Sequence, residues 1–219
     1  MPPDRKELEN TALLLEERIR EAPEDRVSIN NLACCRLGLG RPAEAMQLLE
    51  EAAARWPEDP CLLNNLGFAH LKAAQASQAE EDFRKALSIL EGDPETLNNL
   101  GLALSAQNRW PEALESYRKA LTGTPPGSPL LVDLLNNLGC AYRDLGTLPE
   151  AASAFRQALA LSPMDPEIAN NLGCTHLALG DLPEALAALT GAARLAPQDE
   201  AIQENLRRCQ ARTDGETTS

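Results

Sequence analysis

The chain has 219 residues, with 33 Asp and Glu against 20 Lys and Arg, and a formal net charge of −13 at pH 7. A surface of that sign repels phosphate backbones and anionic lipid, which argues against nucleic-acid binding and membrane attachment. No run reaches the roughly 18–20 apolar residues needed to span a bilayer, and Met1-Pro2-Pro3-Asp4-Arg5-Lys6-Glu7 lacks the apolar stretch of a secretory signal, so a cytoplasmic location is expected.

Leu8, Ala12, Leu15 and Ile19 recur at helical spacing among Glu and Arg, which predicts a helix from Pro3 to Ala22 that ends at Pro23. It has no repeated partner, and residues 1–25 are expected to form an N-terminal cap. From Arg26 onward the chain is periodic. Asn-Asn-Leu-Gly stands at Asn64–Gly67, Asn98–Gly101, Asn136–Gly139 and Asn170–Gly173, and in altered form at Asn30–Ala33. The copies begin 34, 34, 38 and 34 positions apart. Such a period marks a repeat array, in which each unit contacts its neighbours and length counts units. The five units are 26–59, 60–93, 94–131 with a four-residue insertion, 132–165 and 166–199, with Asn-Asn at positions 5 and 6.

Each unit holds two helical patterns, A and B. Asp59-Pro60, Asp93-Pro94 and Asp165-Pro166 place an N-cap acceptor before a first-turn proline of helix A. Pro-Glu-Ala opens helix B at Pro111, Pro149 and Pro183, and Thr147 with Glu150 and Asp181 with Glu184 have capping-box spacing. Gly40, Gly146 and Gly180 supply the turn between A and B. Position 8 is Gly67, Gly101, Gly139 and Gly173; positions 20 and 27 are Ala in every unit. Position 24 is large: Leu49, Phe83, Tyr117, Phe155 and Leu189. A mid-helix glycine costs about 1 kcal/mol against alanine, so its recurrence predicts close helix approach filled by the position-24 side chain.

The extra four residues fall within Pro125–Leu131, where Ser128-Pro129 predicts that the fourth helix A starts about one turn early. Glu200–Arg212 predicts a C-terminal capping helix with Ile202, Leu206 and Cys209 inward, and 213–219 a disordered tail. The six cysteines form no C-x-x-C pair and read as reduced, partly buried helix residues, and no metal site is expected. His70 and His176 both occupy position 11 and read as half-buried spacers. No phosphate loop, H-E-x-x-H or nucleophile–base arrangement is present, so neither enzymatic activity nor a cofactor is expected.

This pattern resembles the tetratricopeptide repeat: Leu-Gly at positions 7–8, Ala at 20, an aromatic at 24, Ala at 27 and Pro at 32. It departs from it at position 4, where the usual Trp is Ile29, Leu63, Leu97, Leu135 and Ala169, and at position 32 of the second unit, which is Glu91. The resemblance implies an all-α, right-handed superhelical α-solenoid of antiparallel helix pairs. Its helices A would line a concave groove with positions 2, 5, 6, 9, 12 and 13. Position 6 is then Asn31, Asn65, Asn99, Asn137 and Asn171, and position 5 is Asn30, Asn64, Asn98, Asn136 and Asn170. Phe68, Leu71, Leu102, Leu37 and Leu177 would add apolar contact, and Glu95, Asp133 and Glu167 an acidic lane at position 2. A side-chain amide offers two donors and an acceptor, which suits a peptide backbone. On this reading Leu and Gly hold A against B, while the asparagines contribute little to packing and face the groove. The carboxylate clamp of chaperone adaptors is disfavoured, because Lys and Arg are absent from positions 2, 5 and 6. The implied function is a non-catalytic adaptor for a peptide or protein segment with positive charge and apolar anchors. A self-assembling scaffold whose groove holds another copy, and a regulatory subunit of an enzyme complex, stay open beside it.

Overall fold

The computed structural model describes the backbone of residues 4–216 and the side chains of residues 4–213. Among these, the regular elements are helices: α1 (Arg5–Glu21), α2 (Arg26–Gly38), α3 (Pro42–Arg55), α4 (Pro60–Lys72), α5 (Ala76–Ile89), α6 (Pro94–Ala106), α7 (Trp110–Gly123), α8 (Leu130–Asp144), α9 (Leu148–Leu161), α10 (Pro166–Leu179), α11 (Leu182–Leu195) and α12 (Glu200–Glu216). They fall into two compact units, one up to Ala120 and one from Leu121, with the division inside α7.

Local sequence sets the helix boundaries. Asp59 accepts from the backbone N–H of Cys61 and Leu62, Asp93 from Thr96, and Asp165 from Glu167 and Ile168. Each thereby satisfies donors that the first turn leaves orphaned. The first helix begins at Arg5, two residues later than the pattern predicts, because Asp4 and Glu7 form a reciprocal capping box there. The two capping boxes expected at α9 and α11 do not form. The Thr147 hydroxyl donates instead to the Tyr142 carbonyl at 3.0 Å, and the Asp181 carboxylate pairs with His176 Nδ1 at 3.3 Å. Both side chains therefore close the preceding turn rather than open the next helix. That turn needs a positive φ: 73° at Gly40, 79° at Gly146 and 84° at Gly180. In the second and third repeats it is met by Ala74 and Asn108, each at φ 59°.

Helices A and B meet at the predicted contact. A Cβ on Gly67 would lie 2.7 Å from the Phe83 ring, on Gly101 2.4 Å from Tyr117, on Gly139 2.5 Å from Phe155, and on Gly173 2.6 Å from Leu189. The position-24 side chains and the alanines at positions 20 and 27 are buried in every repeat. Full burial of a large apolar side chain contributes about 1.5–3 kcal/mol. The Tyr117 hydroxyl is 3.2 Å from that of Ser105, so its polar end is satisfied.

Within the first unit, α2, α4 and α6 pack side by side, and α1 covers α2. Within the second unit, α8, α10 and α12 pack side by side in the same way. In each unit the helices A thus form one continuous layer. Leu8, Leu15 and Ile19 are half-buried and Ala12 is buried, which is the capping face of α1.

Two further boundaries differ from expectation. α8 starts at Leu130, two residues before its repeat rather than a full turn. Leu131 N–H bonds to the Ser128 carbonyl and Val132 N–H to that of Pro129, so one tight turn absorbs the rest of the insertion. α12 runs to Glu216 and so takes in residues 213–216, which were expected to belong to the tail. Residues 1–3 and 217–219 lie outside the described residues.

Candidate functional site

The layer of helices A in the first unit carries a cleft of about 490 Å³. α2 supplies Cys34 and Leu37, α4 supplies Asn65, Phe68 and Lys72, and α6 supplies Glu95 and Asn99. A smaller hollow of about 220 Å³ continues beside Cys61 and shares Asn64, Asn65 and Glu95 with the cleft. These residues come from positions 2, 5, 6, 9, 12 and 13 of successive repeats, which the packing of α2, α4 and α6 brings onto one face. Leu37 and Phe68 are half-buried, so an apolar strip remains open to a ligand. Leu71 and Leu102, also expected on this face, are half-buried too but do not line the cleft.

The asparagines have a role that sequence reasoning missed. Asn65 Nδ2 donates to Asn30 Oδ1 at 2.7 Å, and Asn99 Nδ2 donates to Asn64 Oδ1 at 3.0 Å. In the second unit Asn171 Nδ2 donates to Asn136 Oδ1 at 3.2 Å, and Asn205 Nδ2 to Asn170 Oδ1 at 3.0 Å. Each bond joins position 6 of one helix A to position 5 of the helix A before it. The amides form a ladder, so they do contribute to packing, contrary to expectation. Asn64, Asn98 and Asn99 are buried. Asn98 and Asn137 also have partners. Asn31 is exposed and stands outside the ladder, because α1 places no position-5 amide beside it. Each ladder bond uses one N–H of the position-6 amide and one lone pair of the position-5 amide.

Lys72, at position 13, was not among the expected site residues. Its ammonium stands 5.0 Å from the Phe68 ring centroid, a cation–π distance. The signal that could have found it is its place in the repeat, since position 13 lies on the same face as positions 9 and 12. Cys34 is exposed at the cleft, and its thiol is pushed up by burial first, then by Cys35 and by Glu95. Burial, Asp59 and Asp93 raise the Cys61 thiol too. Neither thiol is activated as a nucleophile.

The second unit presents a different face. Arg143 donates from Nη1 to Asn171 Oδ1 at 3.1 Å and stands 5.9 Å from the Phe155 ring centroid. Asp133 is exposed near the start of α8, and its carboxyl is pushed up by burial and then by Asp165. Burial pushes the Cys174 thiol up, and Arg143 and then Arg208 of α12 oppose that shift. The basic groups come at position 12 and from the capping helix, outside the positions compared with the carboxylate clamp.

His176 is half-buried as expected of a spacer, and His70 packs more tightly. His70 is buried, with Nδ1 2.8 Å from the carboxylate of buried Asp82, which also faces Lys85. The pair ties α4 to α5. Among the described residues no group of three or more His, Cys, Asp or Glu could hold a metal ion, and no helix is long and apolar enough to cross a membrane.

Tetratricopeptide repeat profiles match residues 28–60, 58–125, 94–164 and 136–200. Among solved structures, the chain is similar to TTC0263, a thermophilic TPR protein of Thermus thermophilus, at 26% identity and a TM-score of 0.69, over 85% of this chain and 99% of that one. It is similar to pilF of Pseudomonas aeruginosa at 21% identity and a TM-score of 0.77, over 90% and 87% of the two chains. It is also similar to YrrB, described as a TPR protein with an unusual peptide-binding site, at 19% identity and a TM-score of 0.64, over 89% and 97%. No curated protein gives a sequence match.

Proposed function

The chain belongs to the tetratricopeptide repeat family, whose members are generally non-catalytic scaffolds for protein or peptide partners, and from this premise we propose that it is an adaptor holding a peptide segment in the cleft of its first unit. The observation that carries the reading is the cleft itself: about 490 Å³, with half-buried Phe68 and Leu37 beside the Asn65 and Asn99 amides. Clefts of this size with an apolar floor and a few placed polar groups suit ligand side chains. The peptide-binding site described for YrrB is a further argument by likeness. The net charge of −13 favours a protein partner over a nucleic acid.

The test is site-specific photo-crosslinking in the source cell, with benzoylphenylalanine at Phe68 and, separately, at exposed Glu81 of helix B. The reading requires adducts from position 68 that are absent from position 81. Equal adducts from both, or none from either, would refute it.

A second reading has its own support. Leu13 is 60% exposed and Leu14 67% exposed on α1, an apolar pair suited to a second copy of the chain. Sedimentation equilibrium separates the two: a monomer unchanged by Leu13→Ser with Leu14→Ser excludes self-assembly through α1.

A further inference from the structure

Lys72 and Glu95 both line the first-unit cleft, both are exposed, and neither has an ion-pair partner among the described residues. Several charges elsewhere in the unit are paired. Arg109 bridges Glu80 and Glu112, Arg26 pairs with Asp59, and Arg36 pairs with Glu16 and Glu44. Helix-end electrostatics explain the two signs, since Lys72 closes α4 and Glu95 lies in the first turn of α6. They do not explain why opposite charges share one cleft without pairing. The intervening groups do: Phe68 holds the Lys72 ammonium over its ring, while Glu95 also lines the adjoining hollow with Cys61 and Asn64. The cleft therefore has a cationic end, an apolar middle at Phe68 and Leu37, and an anionic end.

Resting on the adaptor reading, we propose that the occupant is an extended segment in which an apolar side chain is flanked by an acidic residue on one side and a basic residue on the other. The acidic residue meets Lys72, the apolar side chain meets Phe68 and Leu37, and the basic residue meets Glu95. A partner carrying only basic and apolar groups, as position 2 alone suggests, would leave Lys72 facing a like charge.

The test uses the full chain and four blocked, fluorescein-labelled heptapeptides measured by anisotropy. Each has a central Leu flanked at two residues' distance by Glu and Lys, by two Glu, by two Lys, or by two Gln. The Glu/Lys peptide is expected to bind roughly threefold to tenfold tighter than the others, the range for two partly exposed ion pairs, and to lose that margin in high salt. Lys72→Glu should shift the preference to the two-Lys peptide, and Glu95→Lys to the two-Glu peptide. Both side chains are exposed, and unchanged thermal melts would confirm that the variants fold. Equal binding of all four peptides overturns the charge assignment and leaves the adaptor reading standing. Binding of none overturns it as well, and crosslinking at Phe68 then decides whether the adaptor reading falls with it.

Discussion

Replacing Asn99 by Ala tests whether the amide ladder holds the helices A together. Asn99 Nδ2 donates to Asn64 Oδ1 at 3.0 Å, and both residues are buried, at 7% and 9% exposure. The substitution removes a bond worth about 0.5–1.5 kcal/mol and strands a buried acceptor, for a combined cost of about 1–3 kcal/mol. Ala recovers roughly 0.6 kcal/mol of helix propensity. The net loss is therefore about 0.4–2.4 kcal/mol. Asn31→Ala makes the same chemical change at an exposed position with no ladder partner and should gain about 0.5 kcal/mol. Urea unfolding followed by far-UV circular dichroism reads both, and at a slope near 2 kcal/mol per molar the two variants should differ by roughly 1 M in midpoint. The Asn64→Ala with Asn99→Ala double variant should cost less than the sum of the singles. Coincident midpoints for Asn99→Ala and Asn31→Ala would remove the ladder from the account of stability.

Gly101→Ala should destabilise by about 1–3 kcal/mol through overpacking, because its Cβ would stand 2.4 Å from Tyr117. Gly191→Ala, in α11 with nothing within 4 Å, should stabilise by about 1 kcal/mol; thermal melts that moved both variants the same way would contradict the packing argument. Ala74→Gly should stabilise by about 0.5–1 kcal/mol, since Ala74 holds φ 59° in the turn before α5, and a lowered melting temperature would show that this conformation is not strained. The Glu80 carboxyl is held below its ordinary range by hydrogen bonds from Gln107, Arg84 and Arg109, which outweigh the opposing effect of burial. A carboxyl depressed in the folded state stabilises fully above its unfolded pKa and loses that contribution as pH falls through the folded value. Stability should therefore decline on acidification below about pH 4.5, and Glu80→Gln should flatten that part of the profile; an unchanged profile would count against the bridge.

The features legible in the sequence are those written within one repeat. Asp59, Asp93 and Asp165 act on donors two or three residues away, and Gly101 meets Tyr117 sixteen positions on, inside the same helix pair. Such contacts recur with the period, so pattern alone exposes them. The ladder was hidden because it crosses from one repeat to the next: Asn65 reaches Asn30, and nothing local distinguishes a bonded amide from one facing solvent. Thr147 and Asp181 were misassigned for a related reason. Each can cap the following helix or close the preceding turn, and the second option satisfies the Tyr142 carbonyl or pairs with the His176 ring. Capping-box spacing is compatible with either outcome.

The capping helix α12 separates the two uses of asparagine. It is a sixth helix A in its contacts: Asp199 caps it by accepting from Ala201 and Ile202, Ile202 and Cys209 are buried, and Asn205 stands at position 6, bonded to Asn170. Position 8, however, is Arg207 instead of glycine, with a side chain 67% exposed. Glycine is needed there only where a helix B presses a position-24 side chain against it, and no such helix packs on α12 among the described residues. α12 thus keeps the asparagine that reaches back to the preceding helix and drops the glycine that serves its own partner. The ladder amide belongs to stacking between repeats and the glycine to pairing within one. By the same logic, Asn31 opens the series with a position-6 amide that has no rung to complete. Loss of partner binding in Asn31→Ala, with stability unchanged or raised, would isolate a groove role that Asn65 and Asn99 cannot report cleanly.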